Sequence, residues 1–148
     1  MSDYPIWWDS ELTVYNKYTD PQTQITTWHR TVLSNCFLKS AGNKISIGNT
    51  VLDTNDITCR IPESDRFRNK HEWVEIPNDL MSNYFTLGVG DIIVFGNVDD
   101  EINEYQSGKR STDLINKYKD MQGCLEIQQV ANNTGIGRGN PHYYVRGI

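Results

Sequence analysis

The sequence predicts a mainly β fold, a small barrel or sandwich carrying one short helix and one long extended loop. Three observations predict it. Short apolar segments alternate with polar residues at a period of two, and turn residues separate them at intervals. Only one segment, 111–121, has a helical period. The chain is 148 residues long, the size of one domain, which is expected to comprise an N-terminal tail over 1–10 and a β-barrel-like body over 11–148.

The first hairpin has the strongest signal. Leu12, Val14 and Asn16 alternate with Thr13, Tyr15 and Lys17, and Thr19-Asp20-Pro21-Gln22 supplies turn residues. Gln24 to Leu33 follows, rich in Thr, Ile, Trp and Val as strands are. Cys36-Phe37-Leu38 continues or restarts that strand. Residues 44–48 and 49–52 are too short to stand alone and could pair across Gly48-Asn49. Ile57, Cys59 and Ile61 share one face of a strand that Pro62 ends.

Residues 63–73 are charged and aperiodic, with isolated aromatics at Phe67 and Trp73. They predict a long exposed loop. It serves as a solvated connector with Trp73 tucked into the core, or as a docking arm whose Phe67, Arg68, His71 and Trp73 meet a neighbour. Further on, Ile92-Ile93-Val94-Phe95 is an unbroken apolar run behind Gly90-Asp91, which predicts a central strand buried on both faces. The Asp91 side chain is placed to bond nearby backbone N–H groups. Ser111 predicts an N-cap and Asp113 suits the positive end of the helix. Leu114, Ile115, Tyr118 and Met121 form one helix face, and Gly123 stands at the expected C-cap. The alternating segments 124–130 and 142–146 complete the set of strands, with 135–140 as a turn between them.

Composition narrows function. The formal net charge is -5 and the 14 basic residues are scattered, so a salt-sensitive grip on nucleic acid is not expected. Cys36, Cys59 and Cys124 form no Cys-x-x-Cys pair, and His29, His71 and His142 lie in separate segments, so neither disulfide framework nor zinc site is expected. No cofactor is expected either. Asp99, Asp100, Glu101 and Glu104 form the densest acidic cluster but lack calcium-loop spacing, and predict a solvated or intersubunit acidic loop. Gly135-Ile136-Gly137-Arg138-Gly139 lacks the strand–helix setting of a dinucleotide fingerprint. No nucleophile elbow is present, and the chain is expected not to be an enzyme. Met1-Ser2-Asp3 lacks the basic start of a signal peptide and no apolar run reaches ~20 residues, so a bacterial cytoplasm is the expected place of synthesis, with no membrane partner.

Leu12-Thr13-Val14-Tyr15-Asn16-Lys17, Trp28-His29-Arg30-Thr31-Val32-Leu33, the run from Leu87 to Gly96 with the acids behind it, Leu114 to Tyr118, and His142-Tyr143-Tyr144-Val145 stand in a distinctive order. In that order the chain resembles the head–tail connector proteins, head-completion or stopper, of tailed bacteriophages of Gram-positive hosts. The resemblance implies a small β-barrel with a long loop and no catalytic residues. It implies a virion location in the neck, in a homo-oligomeric ring of six or twelve copies. It also implies portal or adaptor partners on one side and tail-terminator or tail-tube proteins on the other, with packaged DNA passing through the lumen. Trp7 and Trp8, in a polar tail beside Pro5, would anchor in a neighbour's groove or fold back on their own barrel. Two alternatives stay open. One is a tail terminator of the same particle; the other is an OB-type module stacking single-stranded nucleic acid on Tyr143, Tyr144 or Trp28.

Overall fold

A computed structural model describes residues 8–40, 44–47, 50–53, 57–77, 79–118, 123–134 and 141–147. Its elements are β1 (Ser10–Thr19), β2 (Thr26–Ser40), β3 (Lys44–Ile47), β4 (Thr50–Asp53), β5 (Ile57–Pro62), α1 (Lys70–Trp73), a 3-10 turn (Met81–Asn83), β6 (Ile92–Phe95), α2 (Ser111–Tyr118), β7 (Cys124–Asn133) and β8 (His142–Gly147). Six strands close into an antiparallel barrel in the order β1-β2-β5-β8-β7-β6, while β3 and β4 form a separate two-stranded sheet. The expected barrel-or-sandwich is therefore a barrel.

Strand β2 makes closure possible. Its first half pairs with β1 from Thr19↔Thr26 to Leu12↔Leu33, and its end pairs with β5 from Phe37↔Arg60 to Ser40↔Ile57. Between them the ladder shifts register, and Asn35 takes a positive φ of 58°. A bulge of this kind bends a strand and sharpens its twist. The sequence leaves open whether Cys36-Phe37-Leu38 continues the strand or restarts it, and β2 runs on without a break. The chain stays extended and turns the barrel's corner there.

Apolar residues line both faces of the β1–β6 wall, giving two cores. Inside the barrel, Leu12, Val14 and Ile93 meet Ile61, Ile127 and Val145. Outside the same wall, Tyr15, Ile92 and Val94 meet Val98, Ile102, Leu114 and Tyr118. Strand β6 is thus buried on both faces, as its continuous apolar run predicts, because α2 and the segment before it cover the outside.

In the region 63–73 Trp73 is tucked into the core, as the connector reading expects, but the segment is held more closely than a free loop. Phe67 bridges to Phe85 and stacks on Tyr143 at 4.0 Å between ring centroids. Residues 70–73 form α1, and Trp73 is fully buried, edge-on to Tyr18 and His29. The aromatics thus draw this segment onto the barrel. The segment that forms no ladder with the barrel is β3–β4, paired from Lys44↔Asp53 to Ile47↔Thr50; the connecting Gly48-Asn49 lies outside the described residues.

Helix α2 begins one residue earlier than its sequence signal. Ser111 is the first helical residue, and the carboxylates of Asp113 and Glu104 accept the backbone N–H groups of Arg110 (3.1 Å) and Ser111 (3.3 Å). Acids satisfy the first free N–H groups and complement the helix dipole. Gly123, at φ +93°, donates its N–H to the Tyr118 carbonyl at 2.8 Å. Met121 and the 135–140 turn lie outside the described residues.

Candidate functional site

The acidic cluster is built from two apolar anchors. After Gly96 the chain must leave the barrel, and Val98 and Ile102 bury themselves against the outside of β1 and β6. The residues between these anchors are consequently pushed toward solvent. Thr13 reinforces the exit: its hydroxyl donates to the Gly96 carbonyl at 2.7 Å and accepts the Val98 N–H at 3.1 Å. Arg30 donates to the Val98 carbonyl at 2.9 Å, and the Tyr15 hydroxyl to the Asp100 carbonyl at 2.6 Å. Burial, with Asp100 next to it, raises the Tyr15 phenol well above its ordinary value.

The four acids then divide into two roles. Asp100 accepts from Lys117 Nζ at 2.7 Å and Tyr118 Oη at 2.5 Å. These hydrogen bonds, Lys117 first, hold its carboxyl below the usual range. Glu104 Oε1 takes the Trp28 indole N–H at 2.9 Å in addition to the Ser111 N–H. Both pin the loop to the barrel and to α2. Asp99 and Glu101 are exposed and have no ion-pair partner among the described residues. A cleft of about 430 Å³ lies between this loop and α2, lined by Asp99, Asp100, Glu101, Lys109, Arg110 and Lys117 among others. Its mixed charge makes it a poor cation cage, and among the described residues no three His, Cys, Asp or Glu side chains converge as metal ligands.

The remaining candidates separate. Trp7 lies outside the described residues. Trp8 is only 6% exposed, packed against Phe37 and His142 at ring distances of 6.1 and 5.9 Å. An exposed aromatic tail was one expectation; at Trp8 the chain folds back on its own barrel instead, because Phe37 and His142 offer it an apolar seat. Phe67 and Trp73 are held by their own barrel as described above. Arg68 is half-buried, its guanidinium 4.6 Å from the Tyr84 ring, and it donates to the Asp65 and Phe67 carbonyls. His71 alone of that group stands exposed. Tyr143 points inward and Tyr144 outward, so they share no stacking face.

A polar cluster at the barrel's end carries no such exposure. The Asp91 carboxylate, 1% exposed, accepts from Lys17 N–H at 3.0 Å, Lys70 Nζ at 3.1 Å, Asn16 Nδ2 at 2.9 Å and Gly88 N–H at 3.1 Å. Asn16 also donates to the Thr86 carbonyl at 2.6 Å and accepts the Thr86 N–H at 3.2 Å. Together they fasten segment 86–91 and α1 to β1.

Residues 7–148 match the model of a family of unknown function, DUF6751. The chain belongs to DUF6751. The family match spans the whole barrel, the β3–β4 hairpin and the α2 wall of this DUF6751 chain. No curated protein and no solved structure matches it.

Proposed function

We propose that this chain is a virion structural protein, a head–tail connector or stopper that forms a ring in the neck between portal and tail, with DNA passing through the lumen. The observation that carries the reading is the β3–β4 hairpin. It is inserted between barrel strands β2 and β5 yet pairs with neither sheet wall. A lone two-stranded hairpin is marginally stable in water, so an element of this kind gains most when a neighbouring subunit supports it. A small closed barrel with one hairpin outside its sheet suits a ring subunit, which needs a rigid body and an element free to meet a neighbour. The order of sequence motifs that resembles phage connectors supports the same reading, and so does the net charge of -5, which lets DNA pass without being held.

Genetics tests it. Removing the gene from the phage that carries it is expected to leave filled heads and finished tails that do not join, seen by electron microscopy. Gold-labelled antibody to the protein is expected at the head–tail junction of intact particles. Normal particle yield without the gene, or label confined to the tail tip or capsid faces, would refute the proposal.

A further inference from the structure

The barrel carries two outer walls of different chemistry, and they stand opposite one another. In the closed order β1-β2-β5-β8-β7-β6, three steps either way separate β1 from β8 and β6 from β5. Cys59 and Ile61 of β5, and Tyr143 and Val145 of β8, face the interior. Alternation therefore turns Thr58, Arg60, Tyr144 and Arg146 outward. The ladder sets Phe37 beside Arg60 and Arg60 beside Tyr144, with Thr58 beside Arg146 in the next row. The Arg60 guanidinium lies 5.7 Å from the Phe37 ring centroid, and both arginines are exposed. Lys39 takes the register position beside Thr58. No Asp or Glu occurs in β5, in β8 or in residues 35–40 of β2; Glu63 and Glu126 stand at the borders of this wall.

The opposite wall presents the other sign. Glu11 on β1 is exposed, and its carbonyl accepts the Gly96 N–H at 2.7 Å, which places it beside the start of the acidic loop. Asp99 and Glu101 stand exposed on that loop. Among the described residues none of these three carboxylates is in an ion pair. Lys117 is engaged by Asp100, while Lys109 and Arg110 lie across the cleft.

We infer that the Arg60–Tyr144–Arg146 wall is the docking surface for the Glu11–Asp99–Glu101 face of a second copy of this chain. The inference deepens the ring proposed above and rests on it. Opposite faces of one subunit that complement each other make a heterologous, head-to-tail contact, which generates a ring when the rotation closes. Phe37 and Tyr144, each half-buried, supply apolar area beside the cations, and arginine and aromatic residues are the types enriched at such interfaces. Nucleic acid fits the wall less well. A phosphate grip needs a stripe of several cations and gives steep salt dependence, and this wall has two exposed arginines in a chain of net charge -5.

Sedimentation velocity of the full chain at low and high salt is the test, with Arg60→Glu and the double variant Asp99→Lys/Glu101→Lys. The wild type is expected to self-associate with rising concentration and less so in high salt. Each variant is expected to self-associate about 10-fold more weakly or worse, since a like-charge pair replaces an attractive one. An equimolar mixture of the two is expected to recover association, because each reversed face then meets a complementary one. Circular dichroism melts confirm that both variants fold, and the acid-side pair tests the contact independently of Arg60. A wild type that stays monomeric, variants that associate as the wild type does, or a mixture that fails to recover would overturn the inference. So would tight binding of a labelled single-stranded oligonucleotide that Arg60→Glu abolishes. Label at the neck with unchanged association in the variants sinks this contact and leaves the connector proposal standing.

Discussion

Replacing Asp91 by Ala is expected to be among the most destabilising polar substitutions in the chain. The carboxylate is 1% exposed, and its removal takes the acceptor from four donors at once. Lys70 Nζ matters least among them, because the Lys70 side chain is 36% exposed and can turn to water. Asn16 Nδ2 and the N–H groups of Lys17 and Gly88 cannot all do so, and each buried donor left without an acceptor costs about 1–3 kcal/mol. Partial relaxation brings the expected total to about 3–5 kcal/mol, the size found when one partner of a buried ion pair is deleted. For a chain of this length that corresponds to a melting shift of roughly 10–15 °C. Lys70→Met leaves Asp91 three other donors and is expected to cost only about 1 kcal/mol. Urea unfolding followed by tryptophan fluorescence measures both, with circular dichroism melts beside it. An Asp91→Ala loss below about 1.5 kcal/mol, or equal losses for the two variants, would show that the cluster is not the fastening inferred from its geometry.

Other outcomes are expected with equal definition. A Cβ added at Gly147 would stand 2.4 Å from the Glu126 carbonyl oxygen and 2.6 Å from Leu125 Cδ1. Gly147→Ala should therefore cost about 1–3 kcal/mol or more and lower the urea midpoint; a near-neutral result would mean β7 and β8 do not close as described. Burial pushes the Cys36 thiol up to about 12 and raises Cys59 as well. Both should resist a thiol reagent in the native state at about pH 8, where free thiols begin to ionise, and react once unfolded. Rapid native labelling of either, located by mass spectrometry, would contradict the core assignment. Folding lowers the Asp100 carboxyl below its ordinary 3.8, so its ionised form favours the fold. That contribution is complete above 3.8 and fades as pH falls through the lower folded value. Stability curves of the wild type and Asp100→Asn should thus converge in acid, and a gap that stays constant down to about pH 2 would disprove the role.

The fold was legible wherever one residue's surroundings are set by its neighbours in sequence. The β1–β2 hairpin shows this, since alternation at 12–17 and the Asp20-Pro21 turn are local signals. So does β6, whose unbroken Ile92-Ile93-Val94-Phe95 run has to be covered on both sides. Asp91 behaves likewise toward the nearby backbone N–H of Gly88, while its bond from Lys17 comes from 74 positions away. Long-range packing decided what was not legible. Nothing near Phe67 in the sequence announces Tyr143 and Phe85 as its ring partners, so a charged aperiodic run looks like a free loop when it is tied down at two aromatics. The two short segments of β3 and β4 carry a weak signal, yet they pair with each other in a sheet of their own.

The candidate surfaces follow the same logic, with a further twist. An acidic cluster is visible as four letters within six positions, but the sequence has no means of dividing it. Asp100 and Glu104 turn inward because Lys117, Tyr118 and Trp28 lie 17 to 76 residues away in the chain and still reach them. Asp99 and Glu101 stay out because Val98 and Ile102 are the anchors. Likewise Arg60 and Arg146 are 86 positions apart, and a count of scattered cations finds no patch. Strand register assembles one, by setting Arg60 beside Tyr144 and Thr58 beside Arg146. A net charge of -5 then conceals exposed arginines at 60 and 146 on one side of a small barrel and exposed acids at 11, 99 and 101 on the other. Net charge governs how the whole molecule repels its surroundings, whereas association depends on which patch meets which. In the proposed ring the first quantity would hold copies of the chain apart and the second would orient them toward one another.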